Sequence, residues 1–110
     1  SEYNLIKISS AQVALQYLKE NSQYISVIFI DLMMPDIYGL NLLSTIREDP
    51  DFASIPIILQ TSSSDENEIL KAFEKGIFSF ITKPYQKNKL LDEIRRAILA
   101  TAKISDAHLL

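Results

Sequence analysis

Three residue types able to act together on a phosphoryl group stand at the ends of three separate, largely apolar runs. Asp31 follows Val27-Ile28-Phe29-Ile30, Thr61 follows Ile57-Ile58-Leu59-Gln60, and Lys83 follows Phe78-Ser79-Phe80-Ile81-Thr82. A carboxylate closing an apolar strand, just before a loop punctuated by Pro35 and Gly39, is poor core chemistry, because burying a charge without partners is costly. It is good site chemistry, since ligands of open α/β sheets sit beyond the carboxyl ends of the strands. A carboxylate, a hydroxyl donor and an ammonium point charge, each at the tip of its own strand, can converge on a phosphate.

The elements that must position these residues alternate between short β-like runs and longer helical ones. That alternation predicts an α/β fold with a parallel sheet and helices on both faces. Residues 4–9 read as a strand, and residues 11–20 as a helix with Val13, Ala14, Leu15, Tyr17 and Leu18 at helical spacing. Residues 26–31 form the buried strand that ends at Asp31. Gly39 precedes a helix with Leu40, Leu43 and Ile46 on one face, stopped by Asp49-Pro50. Residues 56–61 are the next strand.

Ser63 or Ser64 is expected to cap a helix over 65–75, with Asp65, Glu66 and Glu68 favouring its N-terminus. Ile69, Leu70, Ala72 and Phe73 are its expected buried side, and Gly76 is a natural left-handed stop. A strand over 77–82 and a closing helix over 87–103 follow, the helix turning Leu90, Leu91, Ile94, Ala97 and Ile98 to the sheet. Residues 1–104 are expected to form one domain and 105–110, which include His108, a frayed tail.

Composition narrows the function classes. The chain has 110 residues, 47% of them hydrophobic, enough for one packed core. No run approaches the roughly 20 apolar residues that span a bilayer. There is no cysteine, hence no disulfide scaffold or thiolate metal site. A net charge of −3 with no basic stripe disfavours direct nucleic-acid binding by this domain. With only Gly39 and Gly76, there is no Gly-rich phosphate loop either.

With a strand-borne Asp-x-x-Met-Pro-x-x-x-Gly, a strand-borne Thr and a strand-borne Lys-Pro in place, residues 4–103 resemble a response-regulator receiver domain of two-component signalling, similar to chemotaxis regulators. Thr61 lies 30 residues after Asp31 and Lys83 lies 52 after it, both intervals fitting that family. The resemblance implies a flavodoxin-like, doubly wound parallel sheet of order 2-1-3-4-5. It implies that Asp31 accepts a phosphoryl group from a sensor histidine kinase or a phosphotransfer protein, with Thr61 and Lys83 contacting the phosphate and Phe80 as the switch aromatic. It also implies a cis Lys83-Pro84 bond, a cytoplasmic signalling domain rather than an enzyme, and a face over residues 65–103 used for partner contact or homodimerisation.

The resemblance further implies Mg²⁺, held in the family by the phosphoacceptor, the carbonyl two residues on (here Met33) and two acids at the tip of the first strand. That acidic pair has no counterpart here, so the sequence as given is expected to bind Mg²⁺ weakly and to accept phosphate poorly. The tip of the strand over 4–9 carries Ser9-Ser10, which fits the family's second strand. The first strand-helix unit is therefore expected to be missing from the sequence as given; its presence upstream, a strand swapped in from a partner, and a degenerate domain remain open. Met33 and Ser63 occupy positions that tune phosphate lifetime in the family, and an apolar Met33, unable to position a water, suggests slow loss.

Taken singly, each residue has a plainer reading: Asp31 a turn or cap residue, Thr61 a strand residue, Lys83 a solvated charge, Phe80 core. The registered spacing is what lifts them above it. Two other functions compete. A haloacid-dehalogenase-type hydrolase requires a second Asp where Met33 stands. A pseudo-receiver, an interaction module that keeps the fold and signals without phosphate, is the stronger alternative.

Overall fold

The computed structural model describes residues 8, 10–33, 38–62 and 66–109, with side chains through residue 101. The strand expected over 4–9 lies, apart from Ile8, outside them, as do Ser63, Ser64 and Asp65. The elements run α1 (Ala11–Asn21), β1 (Ile28–Asp31), α2 (Gly39–Glu48), β2 (Ile57–Thr61), α3 (Glu66–Lys75), β3 (Ser79–Thr82) and α4 (Lys87–Leu109). Two 3-10 turns, Ser22–Tyr24 and Pro50–Phe52, were not foreseen from the sequence. In the second, the Asp49 side chain accepts from the Asp51 amide at 2.9 Å, and Pro50 brings its fixed φ to the first position.

The described strands form a parallel sheet in the order β1-β2-β3. Alternation along each strand splits the core in two. Ile30, Ile57 and Leu59 turn to one face, where α2 contributes Leu40, Leu43 and Ile46 and α1 contributes Ala11 and Leu18. Ile58 and Ile81 turn to the other, where Ala97 and the half-buried Leu90 of α4 cover them with Phe29 and Tyr85. Parallel strands need helical crossovers, and helices on both faces bury both sides of the sheet.

Local sequence explains most boundaries. The Ser10 hydroxyl caps α1 by accepting from the Val13 amide at 3.4 Å. Gly76 takes φ +102°, a left-handed conformation that side chains resist, and stops α3. Helix α4 continues past the expected end at 103 to Leu109, in keeping with a sequence that has neither Gly nor Pro after Pro84. Three expected core residues are exposed: Val13, Leu70 and Phe73. In α3 the inward stripe is Ile69 and Ala72, three residues apart, and Ala72 alone is fully buried. Leu70 and Phe73 form the adjacent stripe, turned outward.

Candidate functional site

The register of the sheet gathers the three candidate residues at one end. Asp31 closes β1 opposite Gln60. Thr61 closes β2 opposite Thr82, and the Lys83 amide donates to the Thr61 carbonyl at 2.8 Å. Lys83 thus leaves β3 beside the other two strand tips. Its ammonium Nζ contacts Asp31 Oδ2 across 52 residues of sequence. The other carboxylate oxygen, Oδ1, accepts from the Met33 amide at 3.0 Å. Both charged side chains stay open to solvent, 37% for Asp31 and 39% for Lys83, so a ligand can reach the carboxylate. Thr61 is buried.

The loop after Asp31 is held by close backbone approach. The Gly39 amide donates to the Leu32 carbonyl at 2.8 Å, and Met33 pairs with Tyr38 in an isolated antiparallel bridge. A Cβ at position 39 would lie 2.6 Å from Leu32 Cα and 2.8 Å from the Asp31 carbonyl oxygen, so only glycine fits. Beyond β3 the Lys83-Pro84 bond is cis. Tyr85 then donates to Gln60 Oε1 at 2.8 Å, seating the segment after Lys83 on the strand beside Asp31. Phe80 lies largely outward on β3, its ring edge-on to Phe73 with centroids 6.2 Å apart.

Several structural residues carried no signal strong enough to be singled out. Tyr38, whose hydroxyl donates to Glu68 Oε1 on α3, is one. Arg47 is another. Its guanidinium donates to the carbonyls of Gly76 (3.0 Å), Phe52 (3.1 Å), Ala53 (3.4 Å) and Ile55 (2.8 Å), tying two loops to α2. Burial lowers its pKa. A third is Glu93, buried between α4 and β3. Its position between Leu90 and Ala97, on the helix's apolar stripe, was the available clue.

No group of three or more His, Cys, Asp or Glu suited to a metal ion occurs among the described residues. Asp31 and the Met33 carbonyl are two oxygens against the roughly six that Mg²⁺ takes, and Asp31 Oδ2 is already engaged by Lys83. The described residues do not by themselves make a divalent-cation cage.

An acid, a hydroxyl and an ammonium at the carboxyl ends of parallel strands place the chain in the class of open parallel α/β domains. The response regulator receiver domain family matches residues 1–95, and the chain belongs to it. It is similar to the DNA-binding transcriptional regulator NtrC of Proteus hauseri, 36% identical over 78 residues, which are 71% of this chain and 16% of that protein. The chain thus spans under a fifth of that relative's length. Among solved structures it is similar to a response regulator receiver domain protein from Clostridium thermocellum, with TM-score 0.81 and 25% identity over 90% of this chain and 77% of that one. It is also similar to the signal receiver domain of a signal transduction histidine kinase from Syntrophus aciditrophicus, with TM-score 0.77 and 27% identity over 90% of this chain and 74% of that one. The fold is flavodoxin-like, as the sequence led us to expect.

Proposed function

We propose that this chain is a cytoplasmic phosphoacceptor domain, not an enzyme, that takes a phosphoryl group on Asp31 from a sensor histidine kinase or a phosphotransfer protein. The observation that carries the reading is the Lys83 ammonium resting on a solvent-accessible Asp31 carboxylate at the end of β1. In the transfer, a carboxylate oxygen of Asp31 attacks the phosphorus of a phosphohistidine. The P–O bond forms as the P–N bond breaks, and the bonding pair returns to the imidazole nitrogen. Lys83, already on Oδ2, follows the charge outward onto a phosphoryl oxygen. Such chemistry asks mainly for positioning and charge neutralisation. Asp31 and the Met33 carbonyl are the oxygen ligands these residues bring to Mg²⁺; phosphate and water would supply the rest.

The aspartyl phosphate adds negative charge and three strong acceptors. Thr61, at the neighbouring strand tip, donates to one of them, and Phe80 follows inward. A hydrogen bond to a charged group contributes roughly 1.5–3 kcal/mol. At about 1.4 kcal/mol per tenfold change in an equilibrium, that one bond can shift two conformations at least tenfold. The output face is α3-β3-α4, where Leu70, Phe73 and Phe80 leave apolar surface exposed for a partner or a second copy.

The test is labelling of the full-length protein by acetyl phosphate with Mg²⁺, read by intact mass. One phosphoryl group is expected, absent in Asp31→Asn. An unlabelled but folded wild type would reject the phosphoacceptor role and leave a phosphate-independent interaction module.

A further inference from the structure

A side-chain hydrogen bond ties the loop that carries the phosphoacceptor to α3, from the Tyr38 hydroxyl to Glu68 Oε1. Tyr38 stands opposite Met33 in the bridge that closes this loop, and the Met33 amide touches the Asp31 carboxylate. Tyr38 also precedes the first turn of α2, accepting on its carbonyl from Asn41 (2.9 Å) and Leu42 (3.2 Å). Its ring is packed against the larger core cluster, so the hydroxyl is presented from a fixed base.

Helix α3 is held far more loosely. Ala72 is its one fully buried residue. Its C-terminal half is fastened to α2 by Lys75 Nζ donating to Ser44 Oγ at 2.6 Å. Its N-terminal half, which follows the segment leading from Thr61, is fastened to the loop by Glu68. With Lys75 on α2 and Glu68 on the loop, the helix is free to tilt about the first contact as the second weakens.

We infer that Tyr38 and Glu68 form a latch that holds α3 in the unphosphorylated arrangement, making Tyr38 a positioning residue for phosphoryl acceptance at Asp31. This rests on the phosphoacceptor reading above. A phosphoryl group on Asp31 competes for Met33 and Lys83, shifts Met33 against Tyr38 in the bridge they share, and weakens the bond to Glu68. A contact made in one state and lost in the other shifts the balance between them by its full differential strength. The latch therefore opposes phosphorylation, and its removal favours it.

Tyr38→Phe and Glu68→Gln test this, since each keeps shape and deletes one side of the bond. Both are expected to speed acetyl phosphate labelling about tenfold, the change that corresponds to roughly 1.4 kcal/mol, and to lengthen phosphoryl lifetime. The double variant should gain no more than either alone. Tyr24→Phe, at an exposed position, should change nothing. Equal or slower labelling in both single variants, with native unfolding temperatures, overturns the latch. Hydrogen exchange without any phosphate donor gives a second readout: amides of residues 66–71 should exchange several-fold faster in Tyr38→Phe, with those of α4 unchanged. Unchanged exchange also overturns it. If wild type is never labelled, the phosphoacceptor reading fails; faster exchange would then support the tie to α3 and reject its role in phosphoryl acceptance.

Discussion

Two carboxylates, Asp31 at the tip of β1 and Glu93 on α4 against β3, show how the same group meets different surroundings. Glu93 on α4 is buried, its side chain only 4% exposed, and it accepts from the Ser79 hydroxyl at 2.7 Å and from Arg96 at 2.8 Å, with Lys89 at 3.5 Å. Burial pushes its pKa up, but the Ser79 hydrogen bond, the Arg96 charge and hydrogen bond, and the Lys89 charge outweigh that and leave it below the ordinary value. Asp31 has one ammonium, one amide and more than a third of its side chain in solvent. A structural carboxylate is saturated by its donors. Asp31 keeps part of its carboxylate open to solvent beside the Lys83 ammonium, as the proposed phosphoacceptor role requires.

Replacing the proposed phosphoacceptor should have the largest effect on function and little on stability. Asp31→Asn is expected to abolish phosphoryl labelling, while the unfolding temperature moves only slightly, because an open ion pair contributes about 0–1 kcal/mol. A large loss of stability would show that the two carboxylates differ less than the geometry indicates. The loop beneath Asp31 is the next most sensitive point. Gly39→Ala must push Leu32 or the Asp31 carbonyl aside, and we expect a loss of about 3 kcal/mol in chemical denaturation together with impaired labelling.

Glu93→Gln is expected to cost about 1–2 kcal/mol, the scale of a lost charge-assisted hydrogen bond, with labelling unchanged. Its pH dependence sharpens the contrast. Because the folded pKa of Glu93 lies below its unfolded value near 4.5, the stabilisation is complete above that pH. It is lost as pH falls through the folded value, where the native carboxylate is finally protonated. Urea unfolding between pH 6 and pH 3 should therefore show a stability decline in wild type that is shallower in Glu93→Gln. The smallest effect is expected for Tyr85→Phe. Losing the bond to Gln60 should destabilise by about 1 kcal/mol and slow labelling modestly by loosening the segment after Lys83.

The helices and strands around the site were legible because burial imposes local periods. The 3.6-residue pattern of α2 and the alternation of β2 are visible without any partner, and their boundaries fall within a residue of those expected. The outward stripe of α3 was not legible. Leu70 and Phe73 are as apolar as Ile69, and only the burial of Ala72 in the larger core cluster decides which stripe turns inward. The 3-10 turn at Pro50–Phe52 escaped notice for a related reason, since Asp49-Pro50 reads equally well as a simple helix stop. Tyr38 and Glu68 gave no sign of each other; Glu68 looked sufficient as an acid near a helix N-terminus.

By itself, then, the amino-acid sequence determined the order of elements, the two apolar faces of each strand, and the residue types placed at the strand tips. It did so because hydrophobic burial and backbone conformation act over a few residues and leave a local record. Only the tertiary structure decided which groups meet: Lys83 with Asp31, Arg47 with four carbonyls of two loops, Glu93 with Ser79, and Tyr38 with Glu68. Those pairings depend on the parallel register of β1, β2 and β3 and on the seating of each helix. Both are collective outcomes of packing over the whole sheet that no short stretch of chain records.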